Sequence, residues 1–131
     1  MDVLAPVDGS ECSFRALRFA TEFARRYGAD LHVIHVTDLE SERAEAVLER
    51  AEAVLDEEGI LDDPEFVSEF SLLRPGYADR IGENILEVAR EDGYDHVVMG
   101  HHGKGAVDRL VLGSAAETVV RAAEVSATIV P

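Results

Sequence analysis

Val3–Ser10 reads VLAPVDGS, a short apolar run that stops abruptly at Asp8-Gly9-Ser10. Such a run suits a strand that is buried on both faces of a sheet. Apolar residues at helical spacing begin directly after it and continue to Gly28, a residue type that commonly ends a helix. A strand followed at once by a helix is the first unit of an α/β fold.

The same alternation of strand and helix continues along the chain. Further strands are predicted at Leu31–Val36, Glu65–Leu73, His96–Met99 and Ala127–Val130, and further helices at 41–58, 77–92 and 114–123. Glu65–Leu73 alternates as a half-exposed outer strand does. We therefore expect one domain over residues 1–131, with a Rossmann-like doubly wound α/β sheet of five parallel strands.

Composition excludes several classes of protein. The chain of 131 residues carries 27 acidic against 12 basic residues, a net charge of -15, which disfavours non-specific binding to nucleic acid. Charge-free stretches fall well short of the roughly 20 residues of a membrane-spanning helix, so no membrane association is expected. A single cysteine, Cys12, excludes an intramolecular disulfide and favours a cytoplasmic location.

The basic residues are strongly skewed, because eleven are arginines and Lys104 is the single lysine. An acidic excess with few lysines predicts a halophilic protein from a salt-loaded cytosol, where a Debye length of about 3 Å at 1 M salt screens self-repulsion. An ordinary acidic bacterial protein is the alternative.

Ligands of open α/β sheets bind beyond the carboxyl ends of the strands, where the strand order reverses. For a five-stranded sheet in the order 3-2-1-4-5, that point lies between strands one and four. Two loops meet there, Asp8–Ser10 and Gly100–Gly103. They are the first candidates for a binding site.

Glycines at 100, 103, 105 and 113, with Ser114 opening the last helix, form the densest feature of the chain. Glycine lets backbone N–H groups approach an anion, and a helix N-terminus adds unpaired donors. The pattern suits phosphate, but it matches neither the Walker motif nor the dinucleotide fingerprint after the first strand.

The spacing Gly100, two residues, Gly103, nine residues, Gly113-Ser114 resembles the nucleotide motif of the ATP-binding branch of the universal stress protein family. Val3–Ser10 is similar to that family's opening strand and loop, and Asp95–Gly103 to its fourth strand. The resemblance covers nearly the whole chain, and it implies a sheet of strand order 3-2-1-4-5. It departs at the closing strand, which begins with Ala127 where the family usually has proline.

The resemblance implies a set of nucleotide-binding residues. Adenine and ribose would border the first two strands, and the glycine motif would hold ribose and phosphates. The full set is Ala5, Pro6, Val7, Asp8, Val36, Met99, Gly100, His102, Gly103, Lys104, Gly113, Ser114 and Ala115. Asp8 would also reach Mg²⁺ or Mn²⁺ bound to the phosphates, and we expect a side chain at residue 113 to occupy the phosphate space.

Each of these residues has a simpler interpretation. Asp8 can build an Asx turn, Gly113-Ser114 can be a helix N-cap, and Lys104 can be solvated. His101 and His102 are neighbours whose side chains diverge, which disfavours a metal site.

Two functions remain open. The first is a stress-response regulatory protein that binds ATP or another adenine nucleotide and acts as a nucleotide-dependent switch or dimer. The alternative is a slow ATP hydrolase, for which the candidates Asp8, His102, Lys104 and Arg109 are few, so no catalytic residue is assigned. The resemblance also implies a homodimer through strand 127–130.

Overall fold

A computed structural model describes residues 1–37, 41–68, 80–103 and 111–131. Strands and helices alternate along it. They are β1 (Asp2–Pro6), α1 (Glu11–Tyr27), β2 (Asp30–Thr37), α2 (Glu42–Glu58), β3 (Glu65–Ser68), α3 (Arg80–Glu91), β4 (His96–Gly100), α4 (Ser114–Ala122) and β5 (Ser126–Val130).

The five strands form one parallel sheet in the order β3-β2-β1-β4-β5, which confirms the predicted fold class. Val3 pairs with Leu31 of β2 on one side and with His96 of β4 on the other. The chain reverses its direction of winding between β1 and β4. The carboxyl ends of these two strands therefore meet at the predicted switch point.

Both faces of the sheet are covered, which explains the continuous apolar run in β1. Val3, Ala5 and Val7 pack with α1 and α2 on one face, whereas Leu4 packs with α3 and α4 on the other. Every residue from 3 to 7 is buried. When both faces of a strand are buried, its sequence is apolar throughout and does not alternate between apolar and polar residues.

Local signals set the helix ends. Ser10 is the N-cap of α1, and its side chain accepts a hydrogen bond from the N–H of Ser13. Gly28 ends the helix in the left-handed region at φ 61°, where a residue without Cβ is favoured.

Two predicted elements extend into residues that the structure does not describe. Helix α3 is described from Arg80 to Glu91, and residues 77–79 lie outside the described part of the chain. β3 covers Glu65–Ser68, and residues 69–73 also lie outside it. Over the described ranges, no helix is long and apolar enough to cross a bilayer.

Candidate functional site

A cavity of about 380 Å³ opens at the carboxyl ends of β1 and β4. It therefore lies at the switch point of the sheet. Its described walls come from the ends of three strands, the starts of three helices and residues 100–103 at the end of β4, which we call the glycine loop. The lining residues are Pro6, Val7, Asp8, Ser13, His35, Val36, Ile81, Ile85, Met99, Gly100, His102, Gly103, Gly113, Ser114, Ala115 and Ala116.

The lining divides into two kinds of surface. Strand ends and α3 supply apolar side chains, among them Val36, Met99 and Ile85. The loop after β4 and the start of α4 supply backbone and a hydroxyl, from Gly103 and Ser114. An apolar wall beside a few polar groups is typical of sites for small organic ligands.

Asp8 lies across the cavity edge from the glycine loop. Its Oδ1 accepts a 2.8 Å hydrogen bond from the N–H of Ser10, so the Asx turn is present. A Cβ added to Gly103 would stand 2.7 Å from Asp8 Oδ2. The turn and the close approach together hold a carboxylate against the loop, and a side chain at 103 would displace Oδ2.

Gly113 is required by the loop itself. A Cβ at this residue would stand 2.9 Å from His102 Cα and 3.1 Å from the carbonyl oxygen of His101. A side chain here would therefore meet the backbone of the preceding loop first, and the expectation that it would occupy the phosphate space stays a prediction. The N–H of Gly113 also donates to the His101 carbonyl at 2.7 Å.

Gly100 is likewise a packing glycine. A Cβ there would stand 2.9 Å from Cys12 Sγ, and the buried Cys12 thiol lies 3.4 Å from the carbonyl oxygen of Val130. The end of β4 can therefore lie directly against α1. This brings the glycine loop close to the start of that helix.

Ser114 is the first residue of α4, and its side chain is exposed. Gly113 occupies the N-cap position without a side-chain capping bond. The Ser114 hydroxyl thus does not serve as the cap, and it lies at the cavity together with the N-terminal turn. The first N–H groups of a helix have no partner inside it and attract anions.

One predicted residue within the described ranges does not line the cavity. Ala5 is only 1% exposed and packs in the core behind Pro6 and Val7. Lys104 lies outside the described residues, as does Arg109. The other predicted nucleotide-binding residues all line the cavity.

Sequence reasoning missed five lining residues, Ser13, His35, Ile81, Ile85 and Ala116. Ser13 could have been found, because it follows the Asp8 loop at the start of α1, and its Oγ lies 3.3 Å from the Asp8 N–H. The α3 residues Ile81 and Ile85 carry an ordinary core pattern, which says nothing about a cavity.

Metal ligands are sparse in the described residues, which contain no group of three or more His, Cys, Asp or Glu side chains that could hold an ion. Asp8 supplies one carboxylate at the cavity. This fits Mg²⁺ bound mainly by phosphates and water, which typically takes only one or two protein carboxylates.

Comparison with known proteins gives a consistent result over the whole chain. The model described as the universal stress protein family matches residues 1–131. A universal stress protein of Methanocaldococcus jannaschii is 28% identical over 127 residues, which cover 91% of this chain and 75% of that protein.

Solved structures of similar fold include two complexes with nucleotides. A universal stress protein in complex with cAMP matches with a TM-score of 0.77 and 22% identity, over 98% of this chain and 94% of that one. The Archaeoglobus fulgidus universal stress protein in complex with dAMP matches with a TM-score of 0.75 and 22% identity, over 100% and 98% of the two chains. At this identity the likeness shows a shared fold.

Proposed function

The chain belongs to the universal stress protein family, and from this premise we propose that it is a stress-response regulatory protein that binds an adenine nucleotide, ATP included. One observation carries the proposal. At the switch point, a single cavity joins an apolar wall to a glycine loop, a helix N-terminus and the carboxylate of Asp8.

The apolar part of the cavity suits the adenine ring. Val36 and Met99 lie at the ends of β2 and β4, and Ile85 lies on the facing helix α3. Transfer of a planar base from water to such a surface lowers the free energy. Pro6 and Val7, at the end of β1, also line the cavity and would border the base.

The polar part suits phosphate. Gly103, the Ser114 hydroxyl and the N-terminal turn of α4 supply donors without bulk. No lysine or arginine lines the cavity in the described ranges. On a chain of net charge -15, long-range attraction works against a polyanion, so affinity must come from these local contacts.

Asp8 is assigned to the ribose hydroxyls and to a divalent cation. A carboxylate accepts hydrogen bonds from hydroxyl groups, and it is a preferred ligand of Mg²⁺ and Mn²⁺. Asp8 would help to hold such a cation, whose positive charge would offset the negative charge of the phosphates. The cAMP and dAMP complexes of structural neighbours support an adenine nucleotide as the ligand.

A slow ATP hydrolase is the second candidate, and the described lining disfavours it. Phosphoryl transfer needs a group that orients water and a cation that neutralises charge in the transition state. The described lining offers Asp8 and His102 for these roles. We therefore propose binding, with slow turnover at most.

We further propose a homodimer through the β5 edge. In the described residues β5 pairs only with β4, and Ile129 and Val130 are half-buried. Open strand edges are usually covered in native proteins. A second copy of the same edge would supply the missing backbone partners.

Titration calorimetry in molar KCl tests the nucleotide proposal. ATP, AMP and cAMP are each titrated with and without Mg²⁺, and GTP serves as the base control. Ser114→Ala removes one hydroxyl donor and should weaken nucleotide binding roughly ten- to a hundredfold, because hydrogen bonds to charged groups contribute about 1.5–3 kcal/mol. Ser126→Ala, at the opposite end of the sheet, is the matched control.

The result separates the alternatives. Wild-type protein that binds none of the adenine nucleotides contradicts the proposed function. Unchanged affinity in Ser114→Ala would show that the phosphates do not bind at Ser114. Phosphate release measured under the same conditions distinguishes a binding protein from a hydrolase.

A further inference from the structure

His35 is a buried histidine in the wall of the cavity. It lies near the end of β2 with 9% of its surface exposed, and it lines the same space as Asp8 and Gly103. The residue pattern of β2 gives no reason for an imidazole there, since its neighbours Ile34 and Val36 are apolar core residues. Its contacts indicate what the ring does.

The ring is anchored to the end of β1. Nδ1 lies 2.7 Å from the carbonyl oxygen of Val7. A carbonyl oxygen can only accept, so Nδ1 carries the hydrogen and donates it. The partner atom therefore fixes the tautomer of the neutral ring.

Both polar groups of Val7 are thereby tied to the neighbouring strand. The N–H of Val7 donates to the Ile34 carbonyl at 2.9 Å, and its carbonyl accepts from His35. The peptide unit formed by the Val7 carbonyl leads directly into Asp8. Its orientation sets where the Asp8 carboxylate stands.

Little space is available for the Asp8 carboxylate. Oδ1 receives the Ser10 N–H, and Oδ2 lies against Gly103, where an added Cβ would be 2.7 Å away. A small rotation of the preceding peptide would move Oδ2 relative to the glycine loop. A ligand that binds both Asp8 and that loop requires this spacing to be held.

We propose that His35 is a positioning residue of the nucleotide site, which acts through the Val7 carbonyl to hold Asp8 against the Gly103 loop. The inference rests on the proposed function for its ligand. It concerns a contact inside the protein, however, so it is also testable without any nucleotide.

Three variants separate positioning from packing. His35→Leu keeps an apolar side chain and removes the donor. In His35→Asn the amide nitrogen takes the place of Nδ1, whereas the amide of His35→Gln reaches the place of Nε2. If His35 acts through Nδ1, the Asn variant should keep the wild-type placement of Asp8, whereas the Leu and Gln variants should lose it.

The ligand-free measurement is amide hydrogen exchange of Ser10, whose N–H reports the placement of Asp8. We expect His35→Leu to accelerate this exchange about tenfold, with near wild-type exchange in His35→Asn. The Ala44 N–H, which donates to the Ser41 side chain at 3.2 Å, is the matched control for a global loss of stability. Equal acceleration at both amides overturns the proposal.

The ligand-dependent measurement compares AMP with 2′,3′-dideoxy-AMP. Both ligands are titrated without a divalent cation, so that the ribose hydroxyls are the proposed contact of Asp8; His35→Leu should then lower AMP affinity about tenfold and leave the affinity for the dideoxy analogue unchanged. Combined with Asp8→Ala, it should then cost almost nothing more. Additive losses in this cycle, or equal losses for the two ligands, overturn the proposal.

The two proposals fail in different ways. Wild-type protein that binds no nucleotide contradicts the proposed function, and the Ser10 exchange data then decide the role of His35 alone. Wild-type protein that binds AMP, with unchanged Ser10 exchange in His35→Leu, overturns only the positioning role.

Discussion

The backbone N–H of His101 donates a 2.7 Å hydrogen bond to the carbonyl of Val130, the last residue of β5. The carbonyl of His101 in turn accepts a bond of the same length from the N–H of Gly113. One residue therefore connects the end of the outer strand to the start of α4. These two hydrogen bonds therefore link the β5 edge directly to the glycine loop.

Ile129→Pro should prevent dimerisation and leave the fold intact. Because the Val130 carbonyl points toward the β4 side, the alternation of a parallel strand directs the N–H of Ile129 outward. Proline removes that donor without removing a bond to β4. Analytical ultracentrifugation in molar KCl should show a dimer for wild type and a monomer for the variant.

The control for this prediction is Ile129→Thr, which keeps the N–H and the branched shape and should remain dimeric. Wild-type protein that sediments as a monomer at micromolar concentration would show that this edge is not an interface.

Gly113→Ala should lower both stability and nucleotide affinity. The new Cβ would stand 2.9 Å from His102 Cα, a backbone atom, so the loop must shift. Overpacking of this kind typically costs about 1–3 kcal/mol. Thermal unfolding and calorimetry on the same sample measure the two effects.

Gly59→Ala is the matched control for the glycine variant. Its φ is +70° and no atom lies within 4 Å of the added Cβ, so it should cost about 1 kcal/mol through backbone strain and leave nucleotide binding unchanged. A Gly113→Ala protein as stable as wild type would contradict the packing role.

The pKa of His32 should be raised and that of His96 lowered relative to a free histidine. Hydrogen bonds from the two ring nitrogens of His32 to Asp62 at 2.7 Å and Glu65 at 3.1 Å raise its pKa from 6.5 to about 9. Burial lowers the pKa of His96, which stacks on Phe23 with ring centroids 4.8 Å apart. Proton NMR of the histidine ring signals measures both values in one titration.

The His32 shift has a consequence for stability. Because its pKa is higher in the folded state, the protonated ring stabilises the fold fully below about pH 6.5, and this contribution is lost as the pH rises through about 9. His32→Gln should flatten the fall in unfolding free energy over that range. A His32 pKa near 6.5 in the folded protein would contradict the prediction.

Stability should rise steeply from dilute buffer to molar KCl. Salt weakens exposed ion pairs such as Arg18–Glu57, each contributing roughly 0.2–1 kcal/mol. Salt also screens the repulsion within a chain that carries 27 acidic and 12 basic residues. Because acidic residues far outnumber basic residues, the relief of this repulsion should exceed the loss of the ion pairs. Thermal midpoints across the salt range measure the net effect.

A charge-reduced variant controls for non-electrostatic effects of salt. Glu45, Glu49 and Glu52 are exposed on α2, and their replacement by glutamine should raise the midpoint in dilute buffer and reduce its salt dependence. A wild-type midpoint that does not change with KCl would contradict the halophilic interpretation.

The α/β class and the parallel sheet could be predicted because they follow from the chain's alternating pattern, whereas the strand order, and with it the place of the cavity, was implied by the family resemblance. Apolar runs, helix caps and glycine stops are local signals, and the switch point follows from topology. The loops at Asp8 and Gly103 could therefore be placed together before any coordinates were known.

The roles of Gly113 and His35 could not be predicted in the same way, because each depends on contacts between residues far apart in sequence. The obstruction beside Gly113 comes from the backbone of residues 101–103, and the partner of His35 is the carbonyl of Val7. A glycine that admits a ligand and one that admits a neighbouring loop look identical in a sequence.

The buried Cys12 also makes the protein convenient for labelling. It is the chain's single cysteine and only 1% exposed, between Gly100 and the end of β5. Thiol reagents react with exposed thiolates, so the native residue should stay unmodified in the folded protein. A cysteine introduced at exposed Ser126, at the start of the outer strand, would then carry a fluorophore or spin label alone, and distances between two copies could be measured without a cysteine-free background.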